Sequence, residues 1–218
     1  MKDPDVEASI GKLKAYVDST YYPIPKDEHE RLLDSLAALT QMGQNKKESL
    51  RSVLEHVSRL IFKFFGFQEI GIGLKSAKDQ LFRYEVLFGY RKDLVDLLAK
   101  IEYSHEDMID NDRFPSMKMG KSSELIFAEK LSESDRIYFA RPYQLDAKRQ
   151  EVDDFREGDY IDVYMYGPNR ELVGWIELSS PMDRKLPSRT AIKWIELIAS
   201  ICGWIVVEKQ KQEGFARA

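Results

Sequence analysis

The segment from Tyr160 to Gln210 restricts the fold most. Two alternating runs joined by a Gly-Pro-Asn-Arg turn lead, through Pro187 and Ser188, into a long apolar helix. Alternation with period two marks strands that have two different faces, and a short turn between them makes the pair antiparallel. In "YIDVYMY" Ile161, Val163 and Met165 fall on one face and Asp162, Tyr164 and Tyr166 on the other. In "ELVGWIEL" Leu172, Gly174, Ile176 and Leu178 are set against Val173, Trp175 and Glu177. The helix carries Ile192, Ile195, Ile198, Cys202, Ile205 and Val206 in one stripe, broadened by Trp194, Ile201 and Trp204, so burial on two sides is expected. The aliphatic strand face belongs under that helix, with Gly174 allowing a close approach. The other face then holds Tyr, Trp and acidic side chains.

Upstream, Leu50, Val53, Leu54, Val57, Leu60, Ile61, Phe64 and Phe65 recur at helical spacing and predict a helix from about Asn45 to Phe65. After Gly66 the period becomes two: Ile70, Ile72 and Leu74, the turn "SAKDQ", then Phe82, Tyr84 and Val86 form a second antiparallel hairpin. If Phe82, Tyr84 and Val86 face the helices, Arg83 and Glu85 project to the opposite face. Two further helices, residues 5–20 and 27–43, flank Pro23 and Pro25, which interrupt helix at a hinge. "KDLVDLLAK" reads as a short helix and "SSELIFAEK" as a strand, residues 103–120 read as irregular and charged, and 131–158 shows no clear pattern. The expected architecture is α+β: a central antiparallel sheet in a domain of residues 46–218, preceded by a helical extension over 1–45.

A net charge of -4 provides no broad positive field and argues against nucleic acid as a partner. One cysteine, Cys202, excludes an intrachain disulfide and a Cys-rich zinc site, so a reducing, cytoplasmic setting is expected. No unbroken run reaches the roughly 18 apolar residues of a spanning helix, so no membrane is expected either. "GKSS" at Gly120–Ser123 lacks the upstream glycine of a phosphate-binding loop, with Pro115 in its place. "GIG" at Gly71–Gly73 lacks the third glycine and the helix of a dinucleotide fingerprint, and suits close packing within a strand. "HEDMIDNDRF" lacks the ligand alternation and closing glutamate of a calcium loop and reads as a solvated acidic loop. His29 and His56 read as exposed, Cys202 as an inert buried thiol, and no catalytic or metal-ligating constellation stands out.

"REGDYIDVYMYGPNRELVGWIELSSPMDRKLPS" resembles the C-terminal motif of GAF domains, small-molecule sensor modules of bacterial and archaeal signalling proteins. Gly158 and Asp159, Gly174, Pro181, Asp183, Pro187 and Ser188 match it, and "FGY" at Phe88–Tyr90 is similar to the segment after that family's second strand. Glu177 stands where serine is usual, Ser179 and Ser180 replace two aspartates, and Arg184 replaces a glycine. The likeness covers about residues 47–210. It implies long N- and C-terminal helices on one face of the sheet and a ligand cavity, where one exists, on the other. The cysteines of bilin-bearing and methionine-sulfoxide-reducing members and the cyclic-nucleotide residue set are absent. A haem ligand would have to be His105.

The expectation is a non-catalytic sensory or regulatory domain in signal transduction, binding an unidentified small molecule, its cofactor unknown, and forming a homodimer through its terminal helices. The ligand-binding candidates are Arg83, Glu85, Arg113, Asp162, Tyr164, Tyr166, Trp175 and Glu177. The middle helix and the 103–120 loop would roof the site. The same face read as an ordinary second core would pair Glu177 with Arg113 or Arg83. Two alternatives use the same residues: an enzyme with Asp162 and Glu177 as an acid–base pair, or an interaction scaffold whose cavity is filled by aromatic rings.

Overall fold

The computed structural model describes residues 4–21, 27–110, 112, 114–131, 145 and 148–216. The chain divides into two compact units, Met1–Ala37 and Ala38–Ala218, with the boundary inside the second helix. The smaller unit holds α1 (Pro4–Tyr21) and the first part of α2 (Glu28–Gln44). Asp27 Oδ1 accepts from Glu30 N at 2.9 Å and satisfies one of the free amides at the start of α2.

The larger unit continues with α3 (Leu50–Phe65), β1 (Phe67–Lys75), β2 (Phe82–Phe88), α4 (Lys92–Leu98), β3 (Ser116–Lys118), β4 (Ser123–Ile126), β5 (Tyr160–Tyr166), β6 (Leu172–Pro181) and α5 (Arg189–Ala216). The six strands form one antiparallel sheet in the order β2-β1-β6-β5-β4-β3. The expected α+β class is therefore the observed one. The strand β3 escaped the sequence reading because three residues at a sheet edge are too few for alternation to register.

α3 starts at Leu50, later than its periodicity suggested. Ser49 caps it, its side chain accepting from Ser52 N at 3.1 Å, and residues 45–49 turn back instead. That turn is held from α5: buried Lys209 donates through Nζ to Asn45 O at 2.5 Å and Glu48 O at 2.8 Å, so its charge is met by carbonyl dipoles. At the other end Gly66, with φ 70°, closes α3 in the left-handed conformation and releases the chain into β1. Ser188 caps α5 as expected, accepting from Ala191 N at 3.1 Å.

α3 packs on β1 and β2, α5 packs on β5 and β6, and the two helices touch. Their buried stripes, Val53, Leu54, Val57 and Ile61 on one and Ile192, Ile195, Ile198, Cys202 and Ile205 on the other, meet Ile70, Ile72, Ile161, Val163, Ile176 and Leu178 of the sheet. The glycine that lets α5 approach is Gly203, where a Cβ would lie 2.6 Å from the Tyr166 carbonyl. The expected Gly174 instead packs against its neighbouring strand, its virtual Cβ 2.3 Å from the Gly73 carbonyl.

α5 is covered by the sheet on one side and by α3 on another, while Trp204, one of the residues broadening its stripe, is 42% exposed and Leu197 43%. One expectation about α5 is corrected. Arg189–Gln212, with mean hydropathy 1.6, is long and apolar enough by length and composition to cross a membrane, a test that a core helix also passes. The expectation of no such segment counted unbroken apolar runs, and Lys193 and Glu196 interrupt this one. His56 is also not the exposed side chain expected. Its Nε2 is buried without a hydrogen-bond partner, and burial followed by the nearby Arg59 charge lowers its pKa.

The loop after β6 and the Gly158-Asp159 motif are structural. Ser179 and Ser180 hydroxyls both donate to Glu69 Oε2 (3.0 and 2.8 Å). Lys185 pairs with Asp153 and Asp154. Buried Asp159 accepts from the backbone of Ala128 at 2.9 Å and of Arg156 at 2.7 Å, and pairs with Arg149 at 3.1 Å. These contacts tie the irregular stretch before β5 to the ends of the strands.

Candidate functional site

The helix-free face of the sheet is shaped first by what is missing from it. Gly71 and Gly73 of β1 leave two gaps. A Cβ at Gly73 would lie 1.9 Å from two ring carbons of Trp175, and one at Gly71 would lie 2.8 Å from the Tyr84 ring. The rings occupy that space, so "GIG" is a seat for two aromatic side chains of neighbouring strands. Trp175 lies opposite Gly73 and Tyr164 in register, is 2% exposed, and has edge-on contacts with Tyr84 (5.0 Å between centroids), Tyr103 (5.7 Å) and Phe82 (6.4 Å). Tyr103 reaches this cluster because its backbone pairs with Phe82 in an isolated bridge, N to O at 3.0 and 2.8 Å.

A row of carboxylates runs across the next level of the same face. Glu177 of β6 is opposite Asp162 of β5, which is opposite Glu124 of β4. Like charges directly across a ladder repel, and each residue meets this differently. Glu177 accepts from Tyr84 OH (2.6 Å) and Tyr90 OH (2.8 Å). Glu124 accepts from Ser116 Oγ at 2.7 Å. Asp162 Oδ1 is buried with no hydrogen-bond partner. Burial, then the charges of Glu177 and Glu124, push the Asp162 carboxyl well above the usual carboxylate range. Burial also raises Glu177, but its two phenol donors stabilise the anion. Of the coupled pair, Asp162 is therefore the one that holds its proton more firmly.

Residues 107–110 and Phe114 close over this row. Asp107 and Ser104 shape the turn reciprocally: Ser104 N donates to Asp107 Oδ2 at 2.8 Å, and Asp107 N to Ser104 Oγ at 3.1 Å. The half-open space beneath them is about 40 Å³, lined by both Asp162 and Glu177. A single water needs roughly 10–15 Å³ of such volume, so the cavity holds a few small atoms and is otherwise full.

No family model matches the sequence, and comparison with curated proteins finds no match. Comparison with solved structures does find matches. A GAF domain/HD domain protein from Geobacter sulfurreducens superposes with a TM-score of 0.52 at 14% identity, covering 74% of this chain and 95% of that one. The GAF domain of a putative sensor histidine kinase from Pseudomonas syringae pv. tomato gives 0.51 at 10%, covering 88% and 97%. The phycoerythrobilin-bound GAF domain from a cyanobacterial phytochrome gives 0.52 at 12%, covering 88% and 100%.

The fold is that of a GAF domain.

Within this GAF fold, Asp162, Tyr164, Trp175 and Glu177 come together around the cavity as the alternation implied. Arg83 and Glu85 do not. β1 and β2 shift register between Ile72 and Gly73, so Val86 lies opposite Ile72 while Tyr84 lies opposite Gly73, and Glu85 is the extra, exposed residue. Such a bulge breaks the period of two. It turns Tyr84 and Phe82 toward Trp175 and leaves Arg83 at the sheet edge, paired with Asp79 (2.8 Å) and Glu102 (2.7 Å) and not with Glu177. A second shift, between Met165 and Tyr166, leaves Tyr166 43% exposed away from the cavity and brings Leu172 to the Trp175 cluster, not the helix face. Arg113 lies outside the described residues. α4 does not form the roof, and exposed His105 stacks on Phe82 outside the cavity.

The residues not singled out from the sequence are Tyr84 in its actual orientation, Tyr90, Tyr103 and Glu124. Tyr90 sits in "FGY", and Glu124 alternates with Ser123 and Leu125, so both carried a signal. Tyr103 carried none. Cys202 is fully buried, which pushes its thiol up to about 12. "GKSS" is a turn clasped by α5: Glu196 Oε1 accepts from Ser122 N (2.7 Å) and Ser123 Oγ (2.8 Å).

Proposed function

We propose that this GAF-fold chain is a non-catalytic sensory or regulatory domain in signal transduction that holds a small molecule between the Trp175–Glu177 face and residues 107–110 with Phe114. The observation carrying this reading is the buried, unpartnered Asp162 Oδ1 at the wall of a small, half-open cavity, an arrangement that costs stability unless something else uses it. The GAF domains of a sensor histidine kinase and of a bilin-bearing phytochrome share the fold and support a sensory role. A thermal-shift screen with a broad metabolite panel tests it. Binding to the folded state alone raises stability by about 2.7 kcal/mol at a ligand concentration of 100 Kd. At least one saturable shift, lost in Trp175→Ala, is the expected result.

A second reading, an interaction scaffold with a filled cavity, is favoured by the small volume of about 40 Å³. It expects no saturable shift across the whole panel. The acid–base alternative has Asp162 and Glu177 on one face, as it requires, but Glu177 is committed to two phenols.

We also propose a homodimer through the terminal helices. Leu197 and Trp204, seven residues apart on α5, are 43% and 42% exposed. An apolar stripe of this kind is commonly an interface. Light scattering should give twice the chain mass, reverting toward the monomer in Trp204→Glu. A wild-type monomer at tens of micromolar would rule the dimer out.

A further inference from the structure

Resting on the reading of this face as a ligand site, we infer that the group it recognises is a protonated amine, held by Asp162, Glu124 and Glu177 against the aromatic wall of Trp175, Tyr84 and Tyr103. Among the described residues lining the cavity the ionisable side chains other than tyrosine are all carboxylates, Asp107, Asp110, Glu124, Asp162 and Glu177, with no lysine, arginine or histidine among them. A negatively charged ligand would face the charges of Glu124 and Glu177 with no cation in the described lining to offset them, and a neutral apolar one would leave Asp162 Oδ1 without a donor. An ammonium group supplies three donors and one positive charge, and its charge is also favoured over the faces of tryptophan and tyrosine rings.

A metal ion is a poorer match. No group of three His, Cys, Asp or Glu among the described residues is arranged to hold one. The carboxylates here are spread along a ladder, one per strand, instead of converging on a point. Cross-strand neighbours of this kind have Cβ atoms roughly 4.5–5.5 Å apart, which suits hydrogen bonds from one ammonium to two of them. The space of about 40 Å³ admits the head of a primary alkylammonium and little more.

The test titrates the full chain with methylammonium and ethylammonium chloride, following melting temperature and tryptophan fluorescence. Sodium and potassium chloride at equal ionic strength, methanol and sodium acetate serve as controls. A saturable stabilisation by the alkylammonium salts alone is expected. Asp162→Asn should weaken it at least about tenfold, equivalent to about 1.4 kcal/mol, and Glu124→Gln should weaken it less. Equal affinity in Asp162→Asn and wild type, or the same response to potassium, overturns the inference. If neutral or anionic members of a metabolite panel stabilise the protein while amines do not, the amine assignment falls and the ligand site stands. If neither amines nor the panel act, both fall.

Discussion

Gly73→Val should cost about 3 kcal/mol, the upper part of the range for overpacked cores, although valine is ordinarily among the residues best suited to a strand. The reason is the ring above it. A Cβ at Gly73 would sit 1.9 Å from Trp175, and Trp175 cannot retreat, because Tyr84, Tyr103 and Phe82 hold its edges and it is 2% exposed. Urea denaturation followed by circular dichroism measures the loss. The cause is separable from a general effect of crowding the strand: combined with Trp175→Leu, the same substitution should cost less than it does alone, a coupling of neighbours that a double-mutant cycle reads directly. Additive effects, or a Gly73→Val protein within 0.5 kcal/mol of wild type, would show that the ring does not fill the glycine gap.

Asp162→Asn should do the opposite and stabilise the protein by roughly 1–3 kcal/mol at neutral pH, because it removes an ionisable group whose charge is opposed by burial and by Glu177 and Glu124. The sign follows from linkage. In the folded state burial, Glu177 and Glu124 raise the Asp162 pKa above its ordinary 3.8, so the folded protein binds the proton more tightly than the unfolded chain. Wild-type stability therefore falls as pH rises from about 3.8 through the raised folded value, and the asparagine protein, which has no proton to lose there, does not follow it. The two should be equally stable near pH 3.5, as far as the fold survives, and diverge as pH rises. Stability against urea from pH 4 to 8 checks this. An asparagine variant less stable than wild type at pH 7 would mean that the aspartate has a favourable partner. The gain should accompany the loss of amine binding, since a group retained at a cost to stability is expected where it serves a site.

The parts of the molecule that the sequence revealed are those where periodicity is unbroken. β5 up to Met165 and β6 from Gly174 onward lie in the middle of the sheet with both faces covered, so the alternation of Ile161, Val163 and Met165 against Asp162 and Tyr164 was enough to place Asp162 and Glu177 side by side. Where a strand gains a residue, the same logic misleads. The shift at Ile72/Gly73 inverted Phe82, Tyr84 and Arg83, and the one at Met165/Tyr166 misplaced Tyr166 and Leu172. A bulge sets two residues of one strand against one of its partner, a mismatch that appears only once the two strands are paired. The tyrosines on Glu177 could not be paired with it in advance either, because they come from 93 and 87 residues away and only the closed sheet brings them there.

The clasp at Ser122 has a mechanical consequence. Its amide is bonded to Glu196 on α5 at 2.7 Å, and its carbonyl accepts from the Tyr164 amide, also at 2.7 Å, at the cavity wall. One peptide residue is thus the pin between the ligand-facing strand and the long helix behind it. Backbone N–H to oxygen bonds span about 2.7–3.2 Å. A displacement of β5 at Tyr164 by more than about half an ångström would take these bonds out of that range or carry the side chain of Glu196 with it. In the second case a contact on one side of the sheet becomes a push on the helix at its second turn, delivered through the sheet and not around its edge.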